Sequence, residues 1–394
     1  MLAPLCRWTL PPLILFAGLL IFRSVVFHMP ETKWTTARDV PWKVTPRFDW
    51  QEVATDEQLA AVMNRMKPLK TVNTNMIVHA LRLWGPNAEF NDSAFVSGPQ
   101  MLRYFLDDAE FRARAGENTP ALFRHTAQGV EARAYDQFDR NFPTSSYHPD
   151  DLLATLAESG VPLSTPMQLR DGPATVRDLL EGALHNFHPQ QFEYEWTSIA
   201  FARYLFPENP PLNMYGQKWN LDSLLDELCD NPMYQGQCLA THRLEALAVL
   251  YRADEKANAL TPEQKRRILT YLKQASLVLQ EAQTAEGSWN RKWFSGAAAR
   301  NEKKVAIYDK LLSTGHHLEW LAIAPSDVHP PRETIIRAGQ WLVRALQEVD
   351  QKLLDDHYGP CTHASRALCL WRSTDPYEAW QKGQAKPQEV GTTK

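Results

Sequence analysis

The chain has 394 residues, 44% of them hydrophobic and 22% charged, with 17 glycines, 13 tryptophans and a formal net charge of −4. That length can hold one large domain or two ordinary ones around a sizeable core. So few glycines exclude a turn-rich β-sandwich or propeller, and a near-neutral charge with no dense basic run interleaved with aromatics gives no nucleic acid as partner.

From Leu10 to Phe22 the chain reads LPPLILFAGLLIF, followed by Arg23 and then Val25, Val26 and Phe27. The apolar run is short for a membrane span, but Arg23 can snorkel at one end and Pro11-Pro12 are tolerated at the other. No Ala-x-Ala cleavage site follows, so residues 1–27 are expected to form an N-terminal hydrophobic helix that serves as a membrane anchor or uncleaved signal of a single-pass protein. The positive-inside rule alone leaves the body in the cytoplasm, whereas the signal-like layout favours an extracytoplasmic body, which is the expectation taken. Cys6 precedes the apolar segment, and Cys229, Cys238, Cys361 and Cys369 lack the regular spacing of a disulfide framework. They can form two bridges or stay as thiols.

Residues 28–50 are rich in Pro and Trp, with Trp34, Trp42 and Trp50 eight residues apart, and read as a linker lying along the body. A helical domain is expected over 51–380. Apolar residues recur at helical spacing, as in Leu59, Val62, Met63 and Met66, and again around 71–84, 99–113, 150–158, 174–186, 191–206, 219–229, 238–252, 262–285, 303–323, 331–354 and 361–372. Thr261-Pro262-Glu263 is a helix start with Pro in the first turn. Residues 161–176 break the pattern and predict a small hairpin turning at Arg170-Asp171-Gly172. The doublets Asp107-Asp108 and Asp150-Asp151 read as solvated helix starts, and the polar residues 381–394 as a disordered tail. Helical hairpins without alternating strands exclude a Rossmann or TIM plan. The expected fold is all-α: an α/α toroid, a closed barrel of helical hairpins with a short β-hairpin insertion, in preference to an open solenoid.

Three segments superimpose: Cys238-Leu-Ala-Thr-His242-Arg-Leu-Glu245, Leu312-Ser-Thr-Gly-His316-His-Leu-Glu319 and Pro360-Cys-Thr-His363-Ala-Ser-Arg366. A weaker copy is His79-Ala-Leu-Arg82. On a helix each sets an imidazole on the same face as a charged group three residues later, and the Thr ahead of the His is a candidate N-cap that would put the His in a first turn. In a closed barrel such copies would aim at one cavity. Packing accounts for the pattern as well as chemistry does, since a first-turn His can bond a local carbonyl and the Glu a local Arg. The chemical readings are two. His242 and His316 can act as general base and acid, steadied by Glu245 and Glu319. Alternatively Cys238 and His242 can ligate zinc together with His316, His363 or Cys361. No GxGxxG, Walker loop, GxSxG or HExxH names a cofactor, which stays unknown.

Gln283-Thr-Ala-Glu-Gly287-Ser-Trp289 resembles the QW repeat of terpenoid cyclases, and Arg337-Ala-Gly-Gln-Trp341-Leu resembles the start of a second unit, its Gln…Gly-x-Trp ending replaced by Tyr358-Gly359-Pro360. The likeness covers residues 238–372 and implies the α/α toroid shared by terpenoid cyclases and protein prenyltransferases, built around an apolar or ligand-binding cavity. The Asp-x-Asp-Asp motif of the class II cyclases does not occur, nor does a copy of the prenyltransferases' Asp, Cys and His zinc set, so neither activity is carried over. Locally, Gly315-His316-His317-Leu318-Glu319-Trp320 is similar to the active-site stretch of (α/α)6 sugar 2-epimerases. That likeness implies His316 as a proton-transfer group with Glu319, and Trp289 or Trp320 as a stacking platform.

The expectation is thus a membrane-anchored toroid with a ligand-binding or scaffold role in its central cavity, taking a small molecule or glycan. His242, Glu245, His316 and Glu319 are the candidate catalytic residues, and His363, Arg366, Trp289 and Trp320 the candidate substrate contacts. The alternative is a carbohydrate-active epimerase, lyase or hydrolase using His/Glu pairs.

Overall fold

The computed structural model describes residues 37–71, 73–134, 144–188, 191, 193–205, 212–217 and 220–385. The chain divides into the units Met1–Thr36 and Ala37–Lys394, of which the second carries the described helices and strands. The expected hydrophobic helix at 1–27 lies outside the described residues. No helix among the described residues is long and apolar enough to cross a membrane.

The body is mostly helical. In chain order it comprises α1 (Asp56–Arg65), α2 (Thr74–Trp84), α3 (Gly98–Leu106), α4 (Asp108–Ala115), the strands β1 (Phe123–Thr126) and β2 (Gly129–Ala132), α5 (Asp151–Glu158), the strands β3 (Pro166–Leu169) and β4 (Gly172–Thr175), and α6 (Val176–Asn186). Then come α7 (Glu195–Tyr204), α8 (Leu221–Asp230), α9 (Thr241–Ala257), α10 (Pro262–Ala282), α11 (Ile307–Ile323), α12 (Arg332–Glu348), α13 (Gln351–Asp356), α14 (Tyr358–Trp371) and α15 (Pro376–Ala385). The hairpin predicted over 161–176 is β3–β4, paired antiparallel with Leu169 opposite Gly172. A second antiparallel hairpin, β1–β2, was not predicted. Its four-residue strands alternate too briefly to stand out from a loop. The run 99–113 is two helices because Asp107 adopts an extended backbone and caps α4 through the Ala109 N–H.

Two kinds of helix are present, and burial separates them. Helix α10 buries one stripe (Gln264, Ile268, Tyr271, Leu272, Ala275, Leu279), starts with a Thr261 capping box on Gln264, and leaves its other face to water. Helix α7, by contrast, buries all ten of its residues, and α9, α11 and α14 bury nearly as much. A helix apolar on one stripe covers a core; one buried all round lies inside it. The buried helices touch in sequence: α2 packs on α5, α5 on α7, α7 on α9, α9 on α11, α11 on α14, and α14 on α2. At the α11–α14 crossing a side chain on Gly315 would come within 2.6 Å of the Ala364 amide nitrogen. Only glycine permits so close an approach.

The segment from Ala37 to Trp50 runs along this body, with the amides of Arg38, Trp42 and Trp50 donating to the carbonyls of Tyr204, Arg203 and Trp371 at 2.8, 2.9 and 2.9 Å. At the other end α15 continues to Ala385, so residues 381–385, expected to be disordered, are helical. Its Ala379 and Trp380 are buried and the helix packs on α1, which supplies the apolar contact that the polar sequence conceals.

Candidate metal centre

The repeated histidines do meet, but through different partners from those the repeat suggests. Cys238 lies just ahead of α9 in a 3₁₀ turn, Gln237–Ala240, where Cys238, Leu239 and Ala240 all adopt positive φ of 45°, 65° and 63°. Three consecutive non-glycine residues in this region are unfavourable by about 1–3 kcal/mol each and persist only where the surroundings fix them. Here the Thr241 hydroxyl donates to the Cys238 carbonyl at 2.5 Å and the Trp293 indole N–H to the Leu239 carbonyl at 3.0 Å. The turn delivers the Cys238 sulfur to His242, one helical turn on, and to His148, just ahead of α5. The sulfur and one ring nitrogen from each histidine lie within 4.8 Å of one another.

A single carboxylate orients both rings. Glu193, buried just ahead of α7, meets His148 Nδ1 with one oxygen at 2.8 Å and His242 Nδ1 with the other at 3.2 Å. With Nδ1 held, Nε2 is the nitrogen left free on each ring, the arrangement by which an outer carboxylate fixes a metal-binding histidine. His148 is itself steadied by the Ser146 hydroxyl, which donates to its carbonyl at 2.8 Å. His316 adds a third ring: it faces His242 with ring centroids 5.1 Å apart, its Nδ1 lies 3.3 Å from Glu319, and its buried Nε2 has no hydrogen-bond partner among the described residues. A buried nitrogen left unpaired calls for an explanation.

The charges agree with that geometry. Burial pushes the Cys238 thiol up, but the charge of His242 and the rings of His148, His242 and His316 outweigh it and hold the thiol well below its usual range. Burial opposes protonation of His148, yet Cys238 and Glu193 together push it up to about 9. His242 is raised well above the ordinary range by the same two partners against the same burial. Three helix N-termini, those of α5, α7 and α9, lie at this end, and their positive ends favour a thiolate and a carboxylate. Thiolate and Glu193 carry two negative charges between them. Two imidazolium protons balance them in the metal-free protein; one dication with neutral rings would do the same.

The remaining candidates sit deeper and divide differently. Glu319 joins the two ends of the core: one oxygen meets His363 Nδ1 at 2.7 Å and His316 at 3.3 Å, while the other accepts from Arg366 at 3.0 Å. Glu245 does not face His242. It pairs with Arg366 at 3.2 Å, so the His/Glu pair expected on α9 is replaced by His242 with Glu193. The spacing itself allows a pair, as His316 and Glu319 form on α11, so the neighbours decide: Glu193 takes the His242 ring and Arg366 takes Glu245. Arg366 also reaches Glu158, at 3.0 Å, which in turn binds Arg82 at 2.7 Å and Arg203 at 3.3 Å. His79, the weaker copy, packs edge-on to His363 at 5.0 Å and is pulled down to about 4 by burial and by Arg82.

Several expectations give way to packing. Trp289 and Trp320 are fully buried, their indole N–H groups donating to the Leu279 carbonyl at 2.8 Å and to His317 Nδ1 at 3.1 Å, so neither offers an open stacking face. The QW-like segment is a structural clamp: Gln283 donates to the carbonyls of Gly287 and Thr334 at 2.9 and 2.7 Å, tying the end of α10 to the start of α12. The expected threonine caps are not caps. Thr241, Thr314 and Thr362 all lie inside their helices, and only His242 is in a first turn, because α11 and α14 begin well before their histidines. Asp151 is buried rather than solvated and lies against the Ser146 hydroxyl. All four described cysteines are free; Cys361 is buried in α14, its thiol pushed up to about 12 by burial, and stands outside the cluster of metal-ligating groups.

His148 and Glu193 were not found from the sequence. Both lie in irregular stretches just ahead of helices, outside any repeat, and the one available signal was a His two residues before the Asp150-Asp151 doublet. No family model matches this chain, and neither does any curated protein.

Proposed function

We propose that the chain is an α/α toroid whose six buried helices close on themselves, and that its role is to bind one zinc-type dication at their N-terminal end. Cys238, His148 and His242 are the ligands, with His316 Nε2 at the fourth position and Glu193 and Glu319 behind the rings. The observation that carries this reading is Glu193 holding the Nδ1 atoms of two histidines while a ring nitrogen of each lies within 4.8 Å of the Cys238 sulfur. One thiolate and three imidazoles make a tetrahedral donor set suited to zinc. Closure of the helices is supported by their successive contacts, which return from α14 to α2, and it agrees with the fold implied by the likeness to terpenoid cyclases.

Elemental analysis of the dialysed protein tests the proposal. About one zinc per chain is expected, abolished by Cys238→Ser and weakened roughly 10–100-fold by Glu193→Gln. Protein that takes up no stoichiometric metal when zinc is supplied would end this reading. It would favour a second one, in which Cys238 is a thiolate nucleophile and His242 and His316, 5.1 Å apart, act as acid and base. That reading predicts rapid alkylation of Cys238 by iodoacetamide at neutral pH, and it keeps the carbohydrate-active alternative open to assay.

The N-terminal anchor belongs to the same proposal and rests on the apolar run Leu10–Phe22. Deleting residues 1–36 should move the protein from the membrane to the soluble fraction; an unchanged distribution would remove the anchor.

A further inference from the structure

A polar cavity lies at the opposite end of the buried helices from Cys238. A cavity of about 360 Å³ is lined by the last turns of α2, α5, α7, α11 and α14. Its volume falls in the range of small-molecule sites.

Depth sorts its lining. Arg82, Arg203 and Glu158 are nearly inaccessible, with 4%, 3% and 4% of their side chains exposed, and Arg366 is 15% exposed. Trp84, Leu83 and Ile323 are buried beside them, whereas Lys43 and Asp375 are exposed. The floor is therefore cationic, the walls are apolar and the mouth is polar. Four cations and two carboxylates line the cavity: Lys43, Arg82, Arg203 and Arg366 against Glu158 and Asp375.

The floor is also incompletely paired. Glu158 serves three guanidinium groups, of which Arg366 also has Glu245 and Glu319 while Arg82 and Arg203 have Glu158 alone among the described carboxylates. Arg82 stacks on the Trp196 ring at 3.7 Å and gives its Nε–H to Glu158, but its buried Nη2 has no hydrogen-bond partner among the described residues. The same holds for Nε of Arg203. A buried guanidinium nitrogen without an acceptor is unfavourable, and both nitrogens belong to side chains that line the cavity. Guanidinium forks match carboxylate and phosphate oxygens in geometry as well as charge.

We propose that this cavity binds a small organic anion, its carboxylate or phosphate head on Arg82, Arg203 and Arg366 and its apolar body against Trp84 and Ile323. The site is separate from the metal centre and does not depend on metal being bound there. It meets that centre only through Arg366, whose contact with Glu319 leads to His316.

Calorimetric titration of the full chain with benzoate, phenyl phosphate and neutral benzamide tests this. One of the two anions should bind saturably, one per chain, and at least about tenfold more tightly than benzamide. The tighter anion identifies the head group. Thr374→Trp, a half-buried wall position, should close the cavity and abolish binding while leaving metal content and the circular dichroism spectrum unchanged. Arg366→Gln should weaken the anions and leave benzamide unaffected. Equal affinity for benzamide and the anions would overturn the proposal, as would full binding by Thr374→Trp. Absence of saturable binding by either anion below about 10 mM would do the same, returning the arginines to a structural role at helix C-termini.

Discussion

Both ends of the buried helices bury charge, and they neutralise it in opposite ways. At the C-terminal end, Arg82, Arg203 and Arg366 meet Glu158, Glu245 and Glu319, so fixed cations face fixed carboxylates. At the N-terminal end, Cys238 and Glu193 face only imidazoles, whose charge depends on protons. A buried charge needs a partner, and the first end carries its own. The second end balances its charge only by taking up something from solution, either protons or a metal. Fixed ion pairs thus offset one another in place, whereas a thiolate among histidines is open to exchange.

The largest effect is expected where fixed pairs are broken. Glu158→Ala leaves Arg82 and Arg203 without a carboxylate and removes one of three from Arg366, and it should lower unfolding free energy by on the order of 5 kcal/mol, measured by urea denaturation. A loss under about 1 kcal/mol would mean that water reaches this end, and the contrast would collapse. Chelation acts on the other end alone. With free zinc a thousandfold above Kd, loaded protein should exceed metal-free protein in stability by about 4 kcal/mol, visible as a higher melting temperature. The same difference in Cys238→Ser would place the metal elsewhere.

Acid and base should separate the ends in metal-free protein. Glu158 lies at about 2 in the folded state against 4.5 ordinarily, burial opposing but Arg82 and Arg366 prevailing. Its contribution, about 3 kcal/mol, is present above 4.5 and lost as pH falls toward 2. His148 lies at about 9 against 6.5. Its contribution, of similar size, is complete below 6.5 and lost as pH rises through 9. Unfolding curves across pH should show both losses, and bound zinc should remove the alkaline one because the rings are then neutral ligands. An alkaline loss that persists with zinc would contradict ligation by His148.

Gly315→Ala tests the joint between the ends. The added carbon would meet the Ala364 nitrogen at 2.6 Å, forcing α11 from α14 at a cost of about 2 kcal/mol and loosening the His316–His363 contact. Metal affinity should fall with it, whereas unchanged affinity would put His316 outside the metal set. The smallest effect belongs to Trp289→Phe, which removes one hydrogen bond to Leu279 and should lower stability by about 1 kcal/mol without touching metal content.

The sequence alone determined the helices and their punctuation. The apolar spacing of Leu59, Val62 and Met63, the Thr261-Pro262 start and the turn at Asp171-Gly172 are local signals, written in neighbouring residues and read by period and capping. It also named Cys238, His242, His316, Glu319, His363 and Arg366 as candidates, because their helical contexts repeat.

Only the tertiary structure decided which of these act together. His148 reaches Cys238 across 90 residues, Glu193 serves two histidines from different segments, and Glu158 gathers three arginines from three helices. Glu245, three residues from His242, turns instead to Arg366. Trp289 and Trp320, which a resemblance cast as platforms, are core. Spacing along one helix fixes which side chains share a face, but a buried charge selects its partner by distance in space. That distance is set by how the helices pack against one another.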